Sequence, residues 1–334
     1  MQLKEFRDEY LDLLLSFLWR QWSSLGVGGY AESEDNWIID PEALLLFSFS
    51  IARYDARLFD EVLDWLNLNG KFINIQRFKN ILKKYPFSSK TVLSAVAEKM
   101  IQLEPRRKNK WLQIAKLYPN NKDEVLFFAK NGIALPVGSD VDIDFKKHRY
   151  ERNSLILRNY STLFKPDKPV SLILKLRALL GLNARCEILS YLADEKTVHP
   201  SRIAKDTFYY QKTIQDALVD MELSGAIYCS TTGREKRYRL LQKKWSELLG
   251  LGNDSPKWIN WVPLFFALEK IWMKISFLSD KSFNSLLLAS EIKELTKEIT
   301  PEIEQSGFAL ENKNLYYGES TLSYFISDIR KILG

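Results

Sequence analysis

The chain has 334 residues, of which 46% are hydrophobic and 27% charged, and it carries 48 Lys and Arg against 42 Asp and Glu. This composition is typical of a folded globular protein and excludes a disordered or collagen-like chain. With only two His and two Cys, the sequence offers neither a disulfide framework nor a His-rich zinc or iron site. We therefore expect two or three domains in a reducing, cytoplasmic compartment, with no metal and no cofactor.

No secretory signal and no membrane-spanning helix are predicted. Residues 1–9 are polar and of mixed charge, unlike the start of a signal peptide. The most apolar stretch, 258–278, is interrupted by Glu269, Lys270 and Lys274. Its charge-free core is shorter than the roughly 20 apolar residues that a spanning helix needs. No membrane partner is expected.

Residues 1–145 are predicted to form a helical domain. Apolar residues recur at spacings of three and four over 3–18, which indicates an amphipathic helix. Asp40 followed by Pro41 is typical of the N-cap and first residue of a helix, here continuing over 42–54. Further helical patterns cover 56–68, 75–85, 89–101 and 123–131.

The next stretch, 132–148, is predicted to be a solvated loop at a domain boundary. Asp140, Asp142 and Asp144 alternate as in a calcium loop, but the glycine and the terminal glutamate of such a loop are missing. A basic connector, 146–170, follows, and its two prolines are typical of a domain boundary.

Positive charge is concentrated in the middle of the chain. Residues 1–145 hold 19 Lys and Arg and 20 Asp and Glu, residues 146–244 hold 20 and 10, and residues 245–334 hold 9 and 12. The net charges are therefore −1, +10 and −3. A concentrated positive field attracts an anionic partner, although a solvated charged linker would have the same composition. Charge alone leaves both interpretations open.

The central segment, residues 171–244, is predicted to contain three helices and then a two-stranded hairpin. The helices cover 184–192, 202–205 and 210–223, and the strands cover 226–230 and 237–240. Asn183 is a suitable N-cap for the first helix, and His199-Pro200 begins the second. The third helix has one apolar face, formed by Ile214, Ala217, Leu218 and Met221.

This order resembles the winged helix-turn-helix domain of bacterial and archaeal transcriptional regulators of the ArsR and MarR type. The resemblance covers about a fifth of the chain. It is carried by Asn183-Ala184-Arg185-Cys186-Glu187-Ile188-Leu189, His199-Pro200-Ser201-Arg202-Ile203-Ala204, Gln211-Lys212-Thr213-Ile214-Gln215-Asp216-Ala217-Leu218 and Gly233-Arg234-Glu235-Lys236-Arg237-Tyr238. The turn position that is often glycine in these domains is Phe208 here, which would shift the start of the recognition helix. The metal-sensing cysteine motif of the ArsR type is absent, so metal sensing is not implied.

The resemblance implies that the helix over 210–223 reads the major groove of double-stranded DNA and that the hairpin, or wing, lies along the adjacent backbone or minor groove. Gln can pair with adenine and Lys with guanine, while Tyr and Thr can donate to phosphate oxygens. The candidate DNA-binding residues are Ser201, Arg202, Tyr209, Tyr210, Gln211, Lys212, Thr213, Gln215, Arg234, Lys236 and Arg237. Asp206, Asp216 and Glu235 are expected near this surface and would repel phosphate. Winged helices also serve as protein-interaction modules, so that alternative stays open.

Residues 245–334 are predicted to form a helical C-terminal region. The many large apolar residues over 258–278 need burial on several sides. They either pack against the N-terminal helices or form a dimer interface. A homodimer fits the resemblance, because two-fold readers bind two half-sites about one helical turn apart. Trp19 and Trp22 pose the same question of core or interface.

No catalytic constellation stands out, and no enzymatic activity is expected. His199 is placed to cap a helix, His148 lies in the basic connector, and Cys186 and Cys229 are expected to face the core. Phosphate-binding loops, nucleophile elbows and zinc-protease motifs are missing. We expect a mainly α protein, with a helical N-terminal domain, a central winged helix-turn-helix with a two-stranded β wing, and a helical C-terminal region. Its expected function is DNA binding in transcription regulation, with room for an unidentified small-molecule effector. The alternative is a protein-interaction scaffold or adaptor.

Overall fold

The protein is described by a computed structural model that covers residues 3–29, 37–194, 197–241, 244–246, 256–281 and 283–333. The helices are α1 (Leu3–Ser24), α2 (Pro41–Ile51), α3 (Ala56–Asn69), α4 (Ile75–Lys84), α5 (Lys90–Leu103), α6 (Lys108–Ala115), α7 (Ile143–Lys147), α8 (Leu172–Leu180), α9 (Ala184–Leu192), α10 (Pro200–Thr207), α11 (Gln211–Leu223), α12 (Trp261–Ser279), α13 (Ser285–Gln305) and α14 (Thr321–Leu333). The strands are β1 (Trp37–Ile38), β2 (Glu124–Val125), β3 (Tyr150–Glu151), β4 (Ile227–Thr232), β5 (Glu235–Leu240) and β6 (Lys257–Trp258). The pairs β1–β6 and β2–β3 are parallel, and β4–β5 is antiparallel. The predicted mainly α class is confirmed. Among the described residues, no helix is long and apolar enough to cross a membrane.

The N-terminal helices form where the local sequence predicts them, because their starting signals are strong. The Asp40 carboxylate accepts a hydrogen bond from the backbone N–H of Ala43 at 3.0 Å, and Pro41 occupies the first turn of α2. Asp55 caps α3 in the same way, through the N–H of Leu58 at 3.0 Å. Such caps satisfy N–H groups that have no partner inside the helix. Helix α2 is buried on all sides and lies at the centre of the core.

The predicted helix over 123–131 is wrong. Residues Glu124–Val125 form β2, and Phe128 pairs with Ala134 in an isolated antiparallel bridge. The Arg53 guanidinium donates to the backbone carbonyls of Leu126 and Val125, at 2.9 and 3.1 Å. These tertiary hydrogen bonds occupy carbonyls that a helix would use for itself, so the segment stays extended despite its apolar composition.

The predicted solvated loop over 132–148 needs a correction at its end. Asp142 is buried and caps the short helix α7 through the N–H groups of Asp144 and Phe145, at 3.1 and 3.3 Å. Its second carboxylate oxygen accepts from the N–H of Leu155 at 3.1 Å and lies 2.8 Å from the ammonium group of Lys99. The alternating aspartates therefore fix a helix start against α5 and do not all face solvent.

Asp142→Asn is expected to lower the free energy of unfolding by about 1.5–3 kcal/mol near pH 7, because the buried carboxylate loses its charge-assisted hydrogen bonds and Lys99 keeps only Asp144, at 3.2 Å. Burial raises the pKa of Asp142, but the hydrogen bonds from Lys99, Leu155 and Phe145 outweigh burial and hold it below its usual value. A carboxyl group with a lowered folded-state pKa stabilises above its unfolded pKa, and that stabilisation disappears as the pH falls through the folded pKa. The difference between parent and variant should therefore shrink in acid.

Urea unfolding at about pH 7 and about pH 3 measures this difference. Asp140→Asn is the matched control, since Asp140 belongs to the same run of aspartates and is exposed. Its effect is expected to stay under about 0.5 kcal/mol. The stabilising role of the Asp142 carboxylate would be contradicted if both variants lost the same free energy of unfolding, or if the loss in Asp142→Asn did not depend on pH.

The basic connector, 146–170, packs against the N-terminal helices. Arg152 is buried and binds the Asp60 carboxylate with its two terminal guanidinium nitrogens, at 2.7 and 3.0 Å. The Asp64 carboxylate accepts from the backbone N–H groups of Asn159 and Ser161, at 3.2 and 3.0 Å. Other basic residues of the connector that face acids are Lys147 with Glu98 (3.1 Å), Arg149 with Asp123 (3.6 Å) and Arg158 with Glu61 (3.9 Å). Much of the connector's positive charge is therefore neutralised within the protein.

The apolar C-terminal stretch belongs to the core. Phe265 of α12 stacks on Phe47 of α2 with ring centroids 4.8 Å apart, and the Tyr10 hydroxyl of α1 donates to the Leu268 carbonyl at 3.0 Å. Trp22 is buried and donates to the Ser48 hydroxyl oxygen at 2.8 Å. Of the two interpretations of the stretch over 258–278, core packing is therefore the one that the structure shows.

Candidate nucleic-acid interface

The described residues of 171–241, which we call the winged-helix segment, contain α8 to α11 and the hairpin β4–β5. The Asn183 side chain accepts from the N–H of Arg185 at 2.9 Å, and His199 accepts from the N–H of Ser201 at 3.2 Å. Both predicted caps are confirmed. The strands are longer than predicted, since Thr232 pairs with Glu235 across a two-residue turn.

Phe208 takes the left-handed conformation that the turn between α10 and α11 requires, with a φ of 63°. A bulky side chain at this φ costs roughly 1–2 kcal/mol relative to its preferred conformation. The ring is buried and meets the Tyr85 ring of the N-terminal helices edge to face, with centroids 5.8 Å apart. Burial of the ring offsets the backbone strain. Helix α11 then begins at Gln211, one residue later than predicted.

Phe208→Gly is expected to lower the free energy of unfolding by about 2–4 kcal/mol, although glycine suits the turn better. Loss of the buried ring costs about 3–5 kcal/mol, and relief of the backbone strain returns only part of it. Urea unfolding measures the net change. Phe208→Leu is the control, because it keeps the strain and most of the apolar contact and should lose less. A stabilised glycine variant would show that strain outweighs ring packing.

The outer face of α11, together with its N-cap residue, carries five of the eleven candidate DNA-binding residues. Its exposed members are Tyr210, Gln211, Lys212, Thr213 and Gln215. The exposed fraction is 81% for the Lys212 side chain and 68% for Tyr210, and Lys212 forms an ion pair with Asp216 at 2.7 Å. The opposite face, with Ile214, Ala217, Leu218 and Met221, is buried as predicted.

Tyr209, in the turn before α11, is placed differently from the candidates on that helix. Its side chain is partly buried, and its hydroxyl accepts a hydrogen bond from the side-chain amide of Asn74 at 2.7 Å. Burial raises the pKa of Tyr209. This residue attaches the winged-helix segment to the N-terminal helices, a role that its sequence position did not indicate.

The candidate DNA-binding residues on α10 and the wing are exposed, and two of them form ion pairs with neighbouring carboxylates. Arg202 donates to the Asp206 carboxylate at 2.5 Å, and Asp206 also accepts from the Tyr191 hydroxyl at 3.0 Å. Asp206 lies near the proposed surface, as expected, but it is buried and its charge is paired with Arg202. On the wing, Arg237 pairs with Glu235 at 3.1 Å. The other two wing candidates, Arg234 and Lys236, are exposed.

A buried charge network, formed by Asp40, Glu42, Arg77, Arg177 and Glu187, joins the winged-helix segment to the N-terminal helices. Arg177 of α8 donates to Glu42 at 2.6 and 2.8 Å and to Glu187 at 2.7 Å. Arg77 of α4 donates to Glu42 at 2.8 Å and binds the Asp40 carboxylate with two nitrogens. All five residues are buried or nearly so. The network fixes the position of α9 relative to α2 and α4, and no sequence pattern indicated it.

The two cysteines of the winged-helix segment differ in burial. The Cys186 thiol is buried as predicted, and burial raises its pKa to about 11, which makes it a poor nucleophile near neutral pH. Cys229 is only partly buried, although the sequence placed it in the core.

A cleft of about 560 Å³ lies between the winged-helix segment, β6 and the end of α13, with the aromatic side chains of Tyr191, Trp258 and Phe308 in its wall. Small-molecule sites have volumes of this order. Among the described residues, no group of three His, Cys, Asp or Glu side chains is placed to hold a metal ion.

Comparison of the chain with protein-family models, with curated proteins and with solved structures found no significant match.

Proposed function

We propose that the protein binds double-stranded DNA through the winged-helix segment and regulates transcription. In this proposal α11 enters the major groove, and Arg234, Lys236 and Arg237 of the wing contact the adjacent backbone. The observation that supports it best is the division of α11 into two faces. The face with Ile214, Ala217, Leu218 and Met221 is buried, and the face with Gln211, Lys212 and Gln215 is open to solvent.

The start of α11 is suited to phosphate as well as to bases. Its N-cap, Tyr210, makes no side-chain capping hydrogen bond, whereas Asn183 and His199 cap the two preceding helices. The first N–H groups of α11 are therefore left without a side-chain partner, and such groups can donate to phosphate oxygens. Four of the six residues from Arg234 to Arg239 are basic and one is acidic, which favours an anionic partner beside the helix.

Fluorescence anisotropy tests the proposal with two labelled duplexes, the DNA upstream of the protein's own coding sequence and an unrelated duplex of equal length. We expect binding to both at about 50 mM salt, and a loss of at least about 100-fold in affinity at about 200 mM salt. The upstream duplex should bind more tightly than the unrelated one. Absence of binding at low salt would overturn the proposal.

A second candidate, a protein-interaction module, is favoured by apolar residues on the same segment. Leu223 at the end of α11 is 82% exposed, and Val219 and Tyr228 are exposed nearby. Asp216 and Asp220 add negative charge to α11. An interface of this kind would lose little affinity with salt, so a salt-insensitive protein complex without DNA binding would support this second candidate.

A further inference from the structure

Residues 65–97 contain six Lys and Arg residues and no Asp or Glu. The net charge of 1–145 does not show this local excess of positive charge, because the region as a whole has slightly more acidic than basic residues. Helix α4 lies inside the stretch. Its buried Arg77 belongs to the charge network, while Lys79, Lys83 and Lys84 reach the surface. The N-terminal helices therefore carry a local positive surface of their own.

Helix α4 packs directly on the turn that precedes α11. The Arg77 guanidinium donates to the carbonyl of Thr207 at 3.1 Å, and the Asn80 amide donates to the carbonyl of Phe208 at 2.8 Å. Together with the hydrogen bond from Asn74 to Tyr209, α4 and its N-cap residue bind three consecutive residues at the end of α10 and in the turn. The position of α4 beside the start of α11 is therefore fixed.

One surface lysine of α4, Lys84, lies beside the turn that leads into the proposed DNA-reading helix. The Lys84 ammonium group is 5.5 Å from the centre of the Phe208 ring. Phe208 precedes Gln211 by three residues, which span at most about 10 Å. Lys205 is exposed on α10 and precedes Phe208 by three residues. Partial burial lowers the pKa of Lys84, and the positive charge of Lys205 lowers it further. The basic surface of α4 thus continues through Lys205 to the winged-helix segment.

Among the described residues, ion pairs do not neutralise the lysines of this surface. Lys79 donates to the neutral side-chain oxygen of Gln113 at 3.3 Å. In the part of the chain that the structure describes, no carboxylate forms an ion pair with Lys83, Lys84 or Lys205. The carboxylate of Asp206, also close to Lys84, is bound by Arg202. Lysines that are held close together without counter-charges repel one another. A polyanion that binds them removes this repulsion, so its binding is favourable.

We propose that Lys79, Lys83, Lys84 and Lys205 form a second phosphate-binding surface, continuous with α11, for the backbone of the same duplex. This inference rests on the proposed DNA binding and adds a contribution from the N-terminal helices to it. The lysines hold phosphates and read no bases. They extend the contact with DNA beyond the groove that α11 occupies.

The test compares Lys83→Ala/Lys84→Ala with a matched control, Lys297→Ala/Lys331→Ala, in the full chain. The control removes two lysines that are exposed on α13 and α14. On an upstream duplex of about 30 base pairs at about 50 mM salt, we expect the α4 variant to lose about tenfold in affinity, and the control to lose less than about twofold. The slope of log affinity against log salt should fall by about 1.8, which is 0.9 for each lost phosphate contact. Hydroxyl-radical footprinting should show lost protection at one edge only.

Because Lys84 contacts Phe208, a second variant, Lys79→Gln/Lys83→Gln, removes two charges without touching the turn and should behave like the first. An Arg234→Ala variant, measured in parallel, reports on the wing. If Arg234→Ala loses affinity while both α4 variants match the control, the second surface is wrong and the proposed function stands. If the parent protein binds no duplex at low salt, the proposed function and this inference both fail.

Discussion

Replacing Arg177 by alanine is expected to lower the free energy of unfolding by about 3–5 kcal/mol. The Arg177 guanidinium binds Glu42 and Glu187, and all three side chains are buried. Its removal leaves two carboxylates in the interior with less compensation, and a buried charge without its partner is far more costly than an exposed one. Urea unfolding monitored by circular dichroism measures the change.

Arg185→Ala provides the control, because Arg185 forms an ion pair with Asp220 at 2.6 Å in which both side chains are exposed. Its loss is expected to cost no more than about 1 kcal/mol. A double change, Arg177→Met with Glu187→Leu, removes charge on both sides and should destabilise less than Arg177→Ala alone. If Arg177→Ala cost no more than Arg185→Ala, the network would not be what attaches the winged-helix segment to the N-terminal helices.

The elements that sequence analysis placed well are those with local signals. Helices α2, α3, α9 and α10 all begin at a side chain that caps them, and the apolar face of α11 repeats with helical period. Capping and periodicity act over a few residues, so they can be recognised without knowledge of the fold. The two-stranded wing follows from the same kind of evidence, a glycine-containing connection between two strand-forming runs.

The errors arise where distant residues decide the local structure. The segment around Leu126 has the apolar content of a helix, but hydrogen bonds from Arg53 keep it extended. The sequence around Asp142 is that of a solvated loop, but in the folded protein Asp142 is buried beside Lys99. In both cases the deciding partner is more than 40 residues away in the chain, and no short pattern contains it.

The candidate interface was predicted only in part for a similar reason. Gln211, Lys212 and Gln215 could be assigned to an exposed face because the opposite face is apolar. The docking of Tyr209 on Asn74 could not, since it joins two segments 135 residues apart. The basic surface of α4 did have a signal, the absence of acids over 65–97. An average over the whole N-terminal region conceals it, and a shorter counting window would have found it.

Binding of duplex DNA is expected to fall by at least about 100-fold at low salt in the double variant Lys212→Glu/Arg234→Glu. Each change replaces a cation on the proposed surface by an anion, so attraction to phosphate becomes repulsion. Lys212→Glu also places a third carboxylate on the outer face of α11, beside Asp216 and Asp220. Both altered side chains are exposed, so the fold should be retained, which circular dichroism can verify. An unchanged affinity would show that the DNA does not lie on α11 and the wing.

Two single variants then separate base reading from phosphate binding. Gln211→Ala is expected to cost about 1–3 kcal/mol on the preferred sequence and little on an unrelated duplex, because a bidentate contact to a base edge is lost. Arg234→Ala should weaken both duplexes by the same factor and reduce the salt slope by about 1. The decisive quantity is the dissociation constant for the unrelated duplex divided by that for the preferred duplex. This ratio should fall for Gln211→Ala and stay constant for Arg234→Ala. The opposite pattern would mean that the wing reads the sequence and that α11 only holds the backbone.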